Sequence, residues 1–370
     1  MVDFLIVGSG LYGSTFARNA AENGYSSIIV EKRSHIGGNC YTKKVDNIDV
    51  HIYGPHIFHT SNQKIWNWVN RFSEFNQFQY SPVARYQNEN YSLPFNMWTF
   101  NQMWGLTDPE LVKSKIQEQS NITNPSNLEE QAISMVGEDI YLKLIKGYTT
   151  KQWGTDPSNL PKSIIKRLPL RFEWNSNYFN DKFQGIPTDG YTKMFENILD
   201  HHRISVRLDV DYLENKTKLD KLAKVVVYTG PIDRYYDYCY GNLDYRSLSW
   251  KSTKHDTNNY QGCPVVNYTD SDVPYTRIIE HKWFNNRNQK KTIVSKEYPE
   301  KYSVGKEPFY PCYDSESLSR YQAYKKLSES EDSTIFGGRL AEYKYYDMHQ
   351  VIASALTRSD QYIKQLSHDK

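Results

Sequence analysis

The first candidate for chemistry in this chain is a set of three glycines near its start. Gly8, Gly10 and Gly13 are spaced as G-x-G-x-x-G, after the apolar run of residues 3–7 and at the start of a helical stretch that extends to about residue 23. The first glycine allows a tight turn, the second lets the backbone approach a pyrophosphate, and the third lets helix and strand pack closely. The pattern predicts a dinucleotide site at the helix N-terminus. The alternative is a glycine-rich turn in an unrelated α/β domain.

An acid and a second glycine pair indicate which dinucleotide is bound. The apolar run of residues 27–30 ends at Glu31, whose carboxylate can accept hydrogen bonds from ribose hydroxyls and disfavours a 2′-phosphate. Gly37 and Gly38 follow a few residues later. A bare backbone at this place resembles the continuation found in flavoproteins of the glutathione-reductase and amine-oxidase type. The sequence therefore favours FAD.

Two histidines form a second candidate set. His56 and His59 stand three apart beside a Gly-Pro turn and could ligate a metal or face the cofactor. Protein metal sites usually combine several His, Cys, Asp or Glu ligands, and the sequence near these two residues has no acidic or cysteine cluster. We therefore predict no metal site.

Positive charge is concentrated in a loop with prolines at positions 157, 161 and 169. Its basic residues are Lys162, Lys166, Arg167 and Arg171. Such a loop can be a mobile flap over an anion or an ordinary solvated loop, and spacing alone leaves both open. Near the C-terminus, Arg339 follows a strand-like run and a glycine pair, where its side chain could neutralise a pyrophosphate.

Composition narrows the class of protein. The chain has 370 residues, enough for two or three domains, and its net charge of +2 does not suggest a nucleic-acid partner. It has no run of eighteen apolar residues and no signal-peptide pattern, so we expect no membrane span and a cytoplasmic location. The four cysteines are scattered without a C-x-x-C, which fits a reducing compartment.

The predicted elements give an α/β (α+β) multi-domain fold. A Rossmann-like FAD-binding domain is expected at residues 1–78, 181–231 and 333–370, because strands at 225–228 and 333–336 should return to the first sheet. A helical domain with a mobile active-site loop at about 155–172 is expected at 97–180, including a capping box at 107–110. A hairpin at 83–93 and alternating runs from 245 to 297 predict an antiparallel sheet domain at 79–96 and 232–332.

Taken together, the motifs of this chain resemble those of the bacterial UDP-galactopyranose mutases. They follow one another in order over nearly the whole length and are very specific in combination. The matching stretches are residues 8–11, 35–39, 54–60, 93–97, 147–149, 151–154, 167–169, 177–179, 273–277, 296–298 and 337–340.

The resemblance implies an enzyme that interconverts UDP-galactopyranose and UDP-galactofuranose only when its FAD is reduced. In the implied mechanism N5 of the flavin attacks the anomeric carbon as UDP leaves, and the ring closes again through another oxygen of the sugar. No net redox change occurs. The resemblance also implies an external reductant such as NADPH or a flavin reductase, a homodimer, and a product used in cell-surface polysaccharide.

The same resemblance assigns roles to residues. It implies that Arg167 and Arg277 stabilise the departing diphosphate, and we expect His59 to tune the N5 region of the flavin. The implied substrate residues are Tyr80, Tyr148, Trp153, Tyr178, Asn267, Glu297, Tyr310 and Tyr345. The implied cofactor residues are Gly8, Gly10, Leu11, Tyr12, Gly13, Glu31, Lys32, Gly38, Asn39, His56, Ile57, Arg339, Tyr346, Asp347 and Met348.

Departures from the family pattern leave the substrate open. Relatives often carry aromatic residues in the uracil region, where this chain has Leu144 and Ile145, and asparagine where it has Tyr80. The same chemistry on TDP-fucopyranose or UDP-N-acetylgalactosamine is therefore an alternative. An amine-oxidase-type oxidoreductase and a non-catalytic sugar-nucleotide-binding flavoprotein are the other hypotheses.

Overall fold

A computed structural model of the chain describes residues 1–166, 168–285 and 288–368. Its strands are β1 Val2–Val7, β2 Ser27–Val30, β3 Thr42–Val45, β4 Ile48–His51, β5 Phe58–Thr60, β6 Val83–Tyr86, β7 Glu89–Ser92, β8 Phe183–Gly185, β9 Ile204–Arg207, β10 Ala223–Tyr228, β11 Tyr245–His255, β12 Val265–Tyr268, β13 Arg277–Glu280, β14 Thr292–Lys301, β15 Tyr310–Pro311 and β16 Thr334–Phe336. Its α-helices are α1 Leu11–Glu22, α2 Gln63–Val69, α3 Met97–Trp104, α4 Pro109–Glu118, α5 Leu128–Val136, α6 Glu138–Ile140, α7 Gly147–Trp153, α8 Ser163–Lys166, α9 Tyr191–Leu199, α10 Lys216–Leu219, α11 Ile232–Tyr235, α12 Ser315–Ser328 and α13 Met348–His368.

A five-stranded parallel sheet joins distant parts of the chain. Its order is β16-β10-β1-β2-β9. Strand β1 lies in the middle because its apolar side chains are buried on both faces, as in other parallel sheets. The predicted return of the middle strand and the C-terminal strand to this sheet is confirmed by the pairing of β10 with β1 and β16. The predicted domain limits themselves stay predictions.

The second large sheet has seven strands in the order β15-β11-β14-β13-β12-β6-β7. The sequence predicted it to be antiparallel, and this is wrong for one pair, because β12 runs parallel to β6. A long stretch of chain separates these two strands, so no tight hairpin fixes their relative direction. The remaining pairs are antiparallel, including the predicted hairpin of β6 and β7.

The helical region packs on the hairpin edge of this second sheet. Ala84 and Tyr91 of the hairpin share a buried cluster with α3, α4 and α5. The capping box predicted at residues 107–110 is not formed. Asp108 caps α4 instead, because the residue before Pro109 must be extended and so takes the cap position. No helix among the described residues is long and apolar enough to cross a membrane.

Two buried histidines connect β4 to the second sheet. The Nδ1 of His281 accepts from the backbone N–H of His51 at 3.2 Å, and its Nε2–H donates to Ser295 Oγ at 2.7 Å. Burial lowers the pKa of His281 to about 3, and that of His51 is also well below its usual range. The His281 ring is therefore neutral in the folded protein at pH 5, whereas it binds a proton in the unfolded chain.

This difference predicts a loss of stability in mild acid. Because the unfolded state binds more protons below pH 6.5, we expect His281 to lower the free energy of unfolding by about 2 kcal/mol between pH 7 and pH 5. Urea unfolding at both pH values would measure this. The variant His281→Gln, which can still donate to Ser295, should lose less stability over the same interval. An equal loss in both proteins would contradict the assignment.

Candidate active site

A glycine-lined cavity lies at the carboxyl end of the parallel sheet. Gly8 has a φ of +103°, which favours glycine in this turn, and a Cβ on Gly13 would lie 2.0 Å from the carbonyl oxygen of Gly8. Gly10 and Gly38 approach each other so closely that a Cβ on Gly38 would lie 3.0 Å from the Cα of Gly10. No side chain caps the N-terminus of α1. The cradle therefore fits a dinucleotide pyrophosphate.

Glu31 helps to shape this cradle. One carboxylate oxygen accepts from the backbone N–H and the hydroxyl of Ser9, at 2.9 and 2.8 Å, and the other accepts from the Arg33 N–H at 3.0 Å. Neighbouring Lys32 forms an ion pair with Glu307 at 2.5 Å. The residue chosen from sequence as a ribose acceptor thus also holds the glycine loop in place.

Most of the predicted cofactor residues line this first cavity. They are Gly8, Gly10, Leu11, Tyr12, Gly13, Glu31, Lys32, Gly38, Asn39, His56, Arg339, Tyr346 and Met348. Ile57 and Asp347 line the second cavity instead. Sequence reasoning missed Val210–Leu213 and Thr229, which also line the first cavity. Their position just after β9 and β10, at the carboxyl edge of a parallel sheet, is the signal that points to them.

A second cavity of about 520 Å³ lies between the helical region and the seven-stranded sheet. All predicted substrate residues line it, together with two of the three predicted catalytic residues: Tyr80, Tyr148, Trp153, Tyr178, Asn267, Glu297, Tyr310, Tyr345, His59 and Arg277. The third, Arg167, lies outside the described residues. The two cavities share five lining residues, Asn39, His56, Phe309, Arg339 and Met348, so they meet.

A row of side chains crosses the second sheet at the floor of this cavity. Asn267, Arg277 and Glu297 are directly opposite one another on β12, β13 and β14. Residues in register on adjacent strands point to the same face. The sheet register therefore brings together three residues that are separated in sequence, and the Asn267 Oδ1 is buried without a hydrogen-bond partner among the described residues.

Arg277 is the positive group of this row. Its Nε donates to Glu297 Oε1 at 2.7 Å, and the Thr276 hydroxyl donates to the same oxygen at 2.9 Å. Burial opposes the charge of Arg277, but the Glu297 carboxylate keeps its pKa well above the usual range. Because its Nε is bound to Glu297, the terminal nitrogens of the guanidinium are left to bind an anion as a fork.

Arg339 is a second arginine, and it lies where the two cavities meet. Its Nη2 donates to the backbone oxygen of Tyr346 at 2.6 Å. Its guanidinium lies 5.2 Å from the ring centre of Tyr345 and 5.9 Å from that of Tyr310. These two rings stack with centroids 5.6 Å apart. Two arginines and two phenol groups thus surround the junction, which suits a phosphate group.

The two predicted histidines have different surroundings. His56 lines both cavities, its Nδ1 lies 2.8 Å from the Gly54 carbonyl oxygen, and burial lowers its pKa to about 4, so it is neutral. His59 Nδ1 bonds Asp181 at 2.6 Å. The ligand atoms of His59, Asp347 and His349 lie within 4.8 Å of one another, a spacing that could hold a metal. His59 is far from the other two residues in the sequence, so spacing along the chain could not predict this cluster.

The helical wall of the second cavity contains a π-helical turn, Tyr141–Lys146, which runs directly into α7. Such turns often occur at functional sites. Leu144, Ile145 and Tyr148 line the cavity here. A Cβ on Gly147 would lie 2.2 Å from the Thr269 carbonyl oxygen, so the helix touches the backbone of the sheet domain. The apolar spacing of this stretch predicted an ordinary helix, so the π turn was missed.

Comparisons with known proteins show which family this chain is similar to. A family profile described as UDP-galactopyranose mutase matches residues 143–345, and one described as NAD(P)-binding Rossmann-like domain matches residues 6–72. A probable UDP-galactopyranose mutase of Klebsiella pneumoniae is 41% identical over 100% of this chain and 96% of its own length. A dTDP-fucopyranose mutase of Escherichia coli is 40% identical over 97% of this chain and 98% of its own length.

Two further comparisons concern the fold and the dinucleotide unit. A crystal structure of reduced UDP-galactopyranose mutase matches with a TM-score of 0.75 and 13% identity, over 99% of this chain and 94% of that one. This likeness shows the fold alone. A flavin-containing amine oxidase A of Sus scrofa is 33% identical over 64 residues, which are 17% of this chain and 12% of that protein.

The glycine cradle predicts a variant that folds but binds the dinucleotide poorly. At Gly10 the backbone angles suit any residue, and an added Cβ meets nothing closer than 3.8 Å. We expect Gly10→Ala to keep its thermal stability and to weaken flavin retention on the order of tenfold, since the methyl group occupies the pyrophosphate position. Flavin absorbance per protein would measure retention. Asn23→Ala, at the exposed end of α1, should retain flavin fully; equal retention in the Gly10 variant would contradict the prediction.

Proposed function

Because the chain belongs to the UDP-galactopyranose mutase family, we propose that it interconverts UDP-galactopyranose and UDP-galactofuranose with reduced FAD as its cofactor. In more general terms, the protein is an isomerase that acts as a pyranose mutase on a nucleotide sugar and uses a flavin. We further propose which sugar and base it takes, that its flavin is reduced FAD, and which residues act.

The meeting of the two cavities is the observation that supports this proposal. A dinucleotide in the first cavity would extend toward the shared wall at His56 and Arg339. A nucleotide sugar in the second cavity would reach the same wall with its diphosphate near Arg277. The meeting of the cavities thus supports an arrangement in which an anion site would lie next to the reactive end of the dinucleotide.

The main task of the protein in this reaction is to hold the diphosphate while the anomeric carbon loses it. We assign this task to Arg277, kept charged and oriented by Glu297, with Arg167 as a second arginine from the loop. Guanidinium forks bind phosphate oxygens bidentately and keep their charge. Tyr310 and Tyr345, stacked beside Arg339, would add hydroxyl donors to the same phosphates.

The glycine cradle, Glu31 and Arg339 would hold FAD, and when bound, the reduced flavin supplies a nucleophilic nitrogen, N5, to the anomeric carbon of the sugar. His56, neutral and half-buried at the junction, would add a fixed hydrogen-bonding group beside the flavin without adding charge. An external reductant such as NADPH or a flavin reductase would keep the flavin reduced, and a homodimer is the expected assembly.

A second candidate substrate is dTDP-fucopyranose. The observation that favours it is the aliphatic wall at Leu144 and Ile145, which the π turn presents to the cavity beside Tyr148. Aliphatic side chains pack well against the 5-methyl group of thymine, whereas they offer a base less stacking than aromatic rings do. The sugar end, near Tyr80 and His59, would then accept a sugar without a 6-hydroxyl.

We expect turnover of a nucleotide sugar only by the reduced enzyme. Dithionite-reduced and oxidised protein would be incubated separately with UDP-galactopyranose, UDP-N-acetylgalactosamine and dTDP-fucopyranose, and the products separated by chromatography. Conversion of UDP-galactopyranose by the reduced form is the expected result. Conversion of dTDP-fucopyranose alone would keep the chemistry and change the substrate. Reduction of the flavin by a substrate, as in an amine oxidase, would contradict the proposal.

The diphosphate role of Arg277 predicts a selective loss of activity on Arg277→Lys. Lysine keeps a positive charge beside buried Glu297, so the protein should fold and retain flavin, but the loss of the bidentate fork should lower kcat/KM about a hundredfold. Arg85→Lys, in the same sheet but away from the cavity, is the matched control and should change kcat/KM little. Loss of flavin in the Arg277 variant would show instead that this residue is structural.

A further inference from the structure

We propose that Asp181 is a positioning residue that fixes the imidazole of His59, so that His59 presents its Nε2 to the second cavity. This inference rests on the proposed function, because it concerns how one group of that site is oriented. Asp181 belongs to none of the residue sets that the sequence motifs predicted.

The two residues meet through the pairing of two short strands. Strands β5 and β8 are antiparallel, with His59 opposite Gln184. Asp181 lies just before β8, and its Oδ2 is 2.6 Å from the Nδ1 of His59. The short distance marks a charge-assisted hydrogen bond rather than a chance contact. Strand pairing thus brings together residues that are 122 positions apart.

The carboxylate itself is held in place. The second oxygen of Asp181 accepts from the Ser61 hydroxyl at 2.7 Å, and that hydroxyl accepts from the backbone N–H of Lys182 at 3.2 Å. Both oxygens of this carboxylate therefore accept a hydrogen bond, one from His59 and one from Ser61. Asp181 is therefore an ionised acceptor near neutral pH.

The plane of the His59 ring is fixed independently. Its ring stacks on Phe179 with centroids 3.7 Å apart and planes 11° apart, and the edge of His349 approaches at 5.1 Å. The side chain is 12% exposed. Packing thus sets the ring plane, and the bond to Asp181 sets which ring nitrogen is already engaged, leaving Nε2 for another partner.

The tautomer follows from this geometry. An ionised carboxylate only accepts hydrogen bonds, so Nδ1 carries the hydrogen and Nε2 of the neutral ring is an acceptor. No described residue bonds Nε2, and His59 lines the substrate cavity. This acceptor suits a sugar hydroxyl. The charged and titratable groups that face the ring are Asp181, Asp347 and His349.

The first test reads the tautomer and needs no activity. In the ¹⁵N spectrum of the histidine-labelled holoenzyme at neutral pH, His59, assigned with His59→Gln, should be in the Nδ1–H form. Asp181→Asn should reduce that form, because the amide can donate to Nδ1 and favour the other tautomer. An Nε2–H tautomer in the unmodified protein would overturn the inference, even if the variant failed to fold.

The second test is a double-mutant cycle on the mutase reaction. Asp181→Asn should lower kcat/KM on the order of tenfold to a hundredfold, as losses of orienting partners typically do. In the His59→Gln background the same change should cost less than about twofold, because its target is gone. Equal losses in both backgrounds would overturn the inference.

Ser61→Ala is the matched control, since it removes the other partner of Asp181 and keeps the bond to His59. It should lower kcat/KM less than about threefold and preserve the Nδ1–H tautomer. A loss as large as that of Asp181→Asn, with the tautomer preserved, would overturn the role assigned to the Asp181–His59 bond. If the unmodified enzyme turned over no nucleotide sugar, the proposed function would fail, while the tautomer measurement would still decide the role of Asp181.

Discussion

The site depends on keeping one largely buried arginine charged and aimed into a partly open cavity. Burial of an unpaired guanidinium is costly, and the cost is offset here by the carboxylate of Glu297 on the adjacent strand. The pairing uses only the Nε edge of Arg277, so the fork stays available for the diphosphate of the proposed substrate. Since the pair is in direct register between β13 and β14, the geometry of the whole sheet determines where the positive charge lies.

This constraint explains why one row of the sheet contains several site residues. The row continues from Arg277 to Asn267 on one side and from Glu297 to Trp250 on the other. A slip of one residue in any of these pairings would turn Arg277 or Glu297 to the opposite face. The long β11–β14 pairing, ten residues in register, protects against such a slip and thereby stabilises the site.

The parts of this arrangement that could be predicted from sequence depend on local pattern. The glycine loop, β1, α1 and the acid Glu31 lie within a short stretch, and their spacing alone specifies the unit. The C-terminal glycine pair was also visible in the sequence, but the structural reason for it was not. The ring of Tyr12 packs so closely on Gly337 that a Cβ on Gly337 would lie 2.0 Å from the ring. The cavity-lining residues came from the family resemblance, because spacing along the chain does not measure distance across a sheet.

The features that could not be predicted from the sequence depend on contacts between segments that are far apart along the chain. The parallel pairing of β12 with β6 and the contact of His59 with Asp181 join segments separated by more than a hundred residues. The π turn at Tyr141–Lys146 is one short segment between helical turns, and its apolar residues recur at nearly the spacing of an ordinary helix. In each case the deciding interaction is tertiary, and no local propensity favours it over the alternatives.

The basic loop illustrates how such long-range contacts limit motion. Its N-terminal end is fixed, because Arg246 donates to the carbonyl oxygen of Gln152 and the Lys151 amine donates to three carbonyls of the sheet domain. Its C-terminal end is fixed by the Arg171 N–H bond to Phe95. Between these anchors, Ile165 is buried in the helical cluster. If this loop closed over the diphosphate of the proposed substrate, it would have to bend between these anchors, and it would then pull Ile165 from its apolar contacts or carry part of that cluster with it.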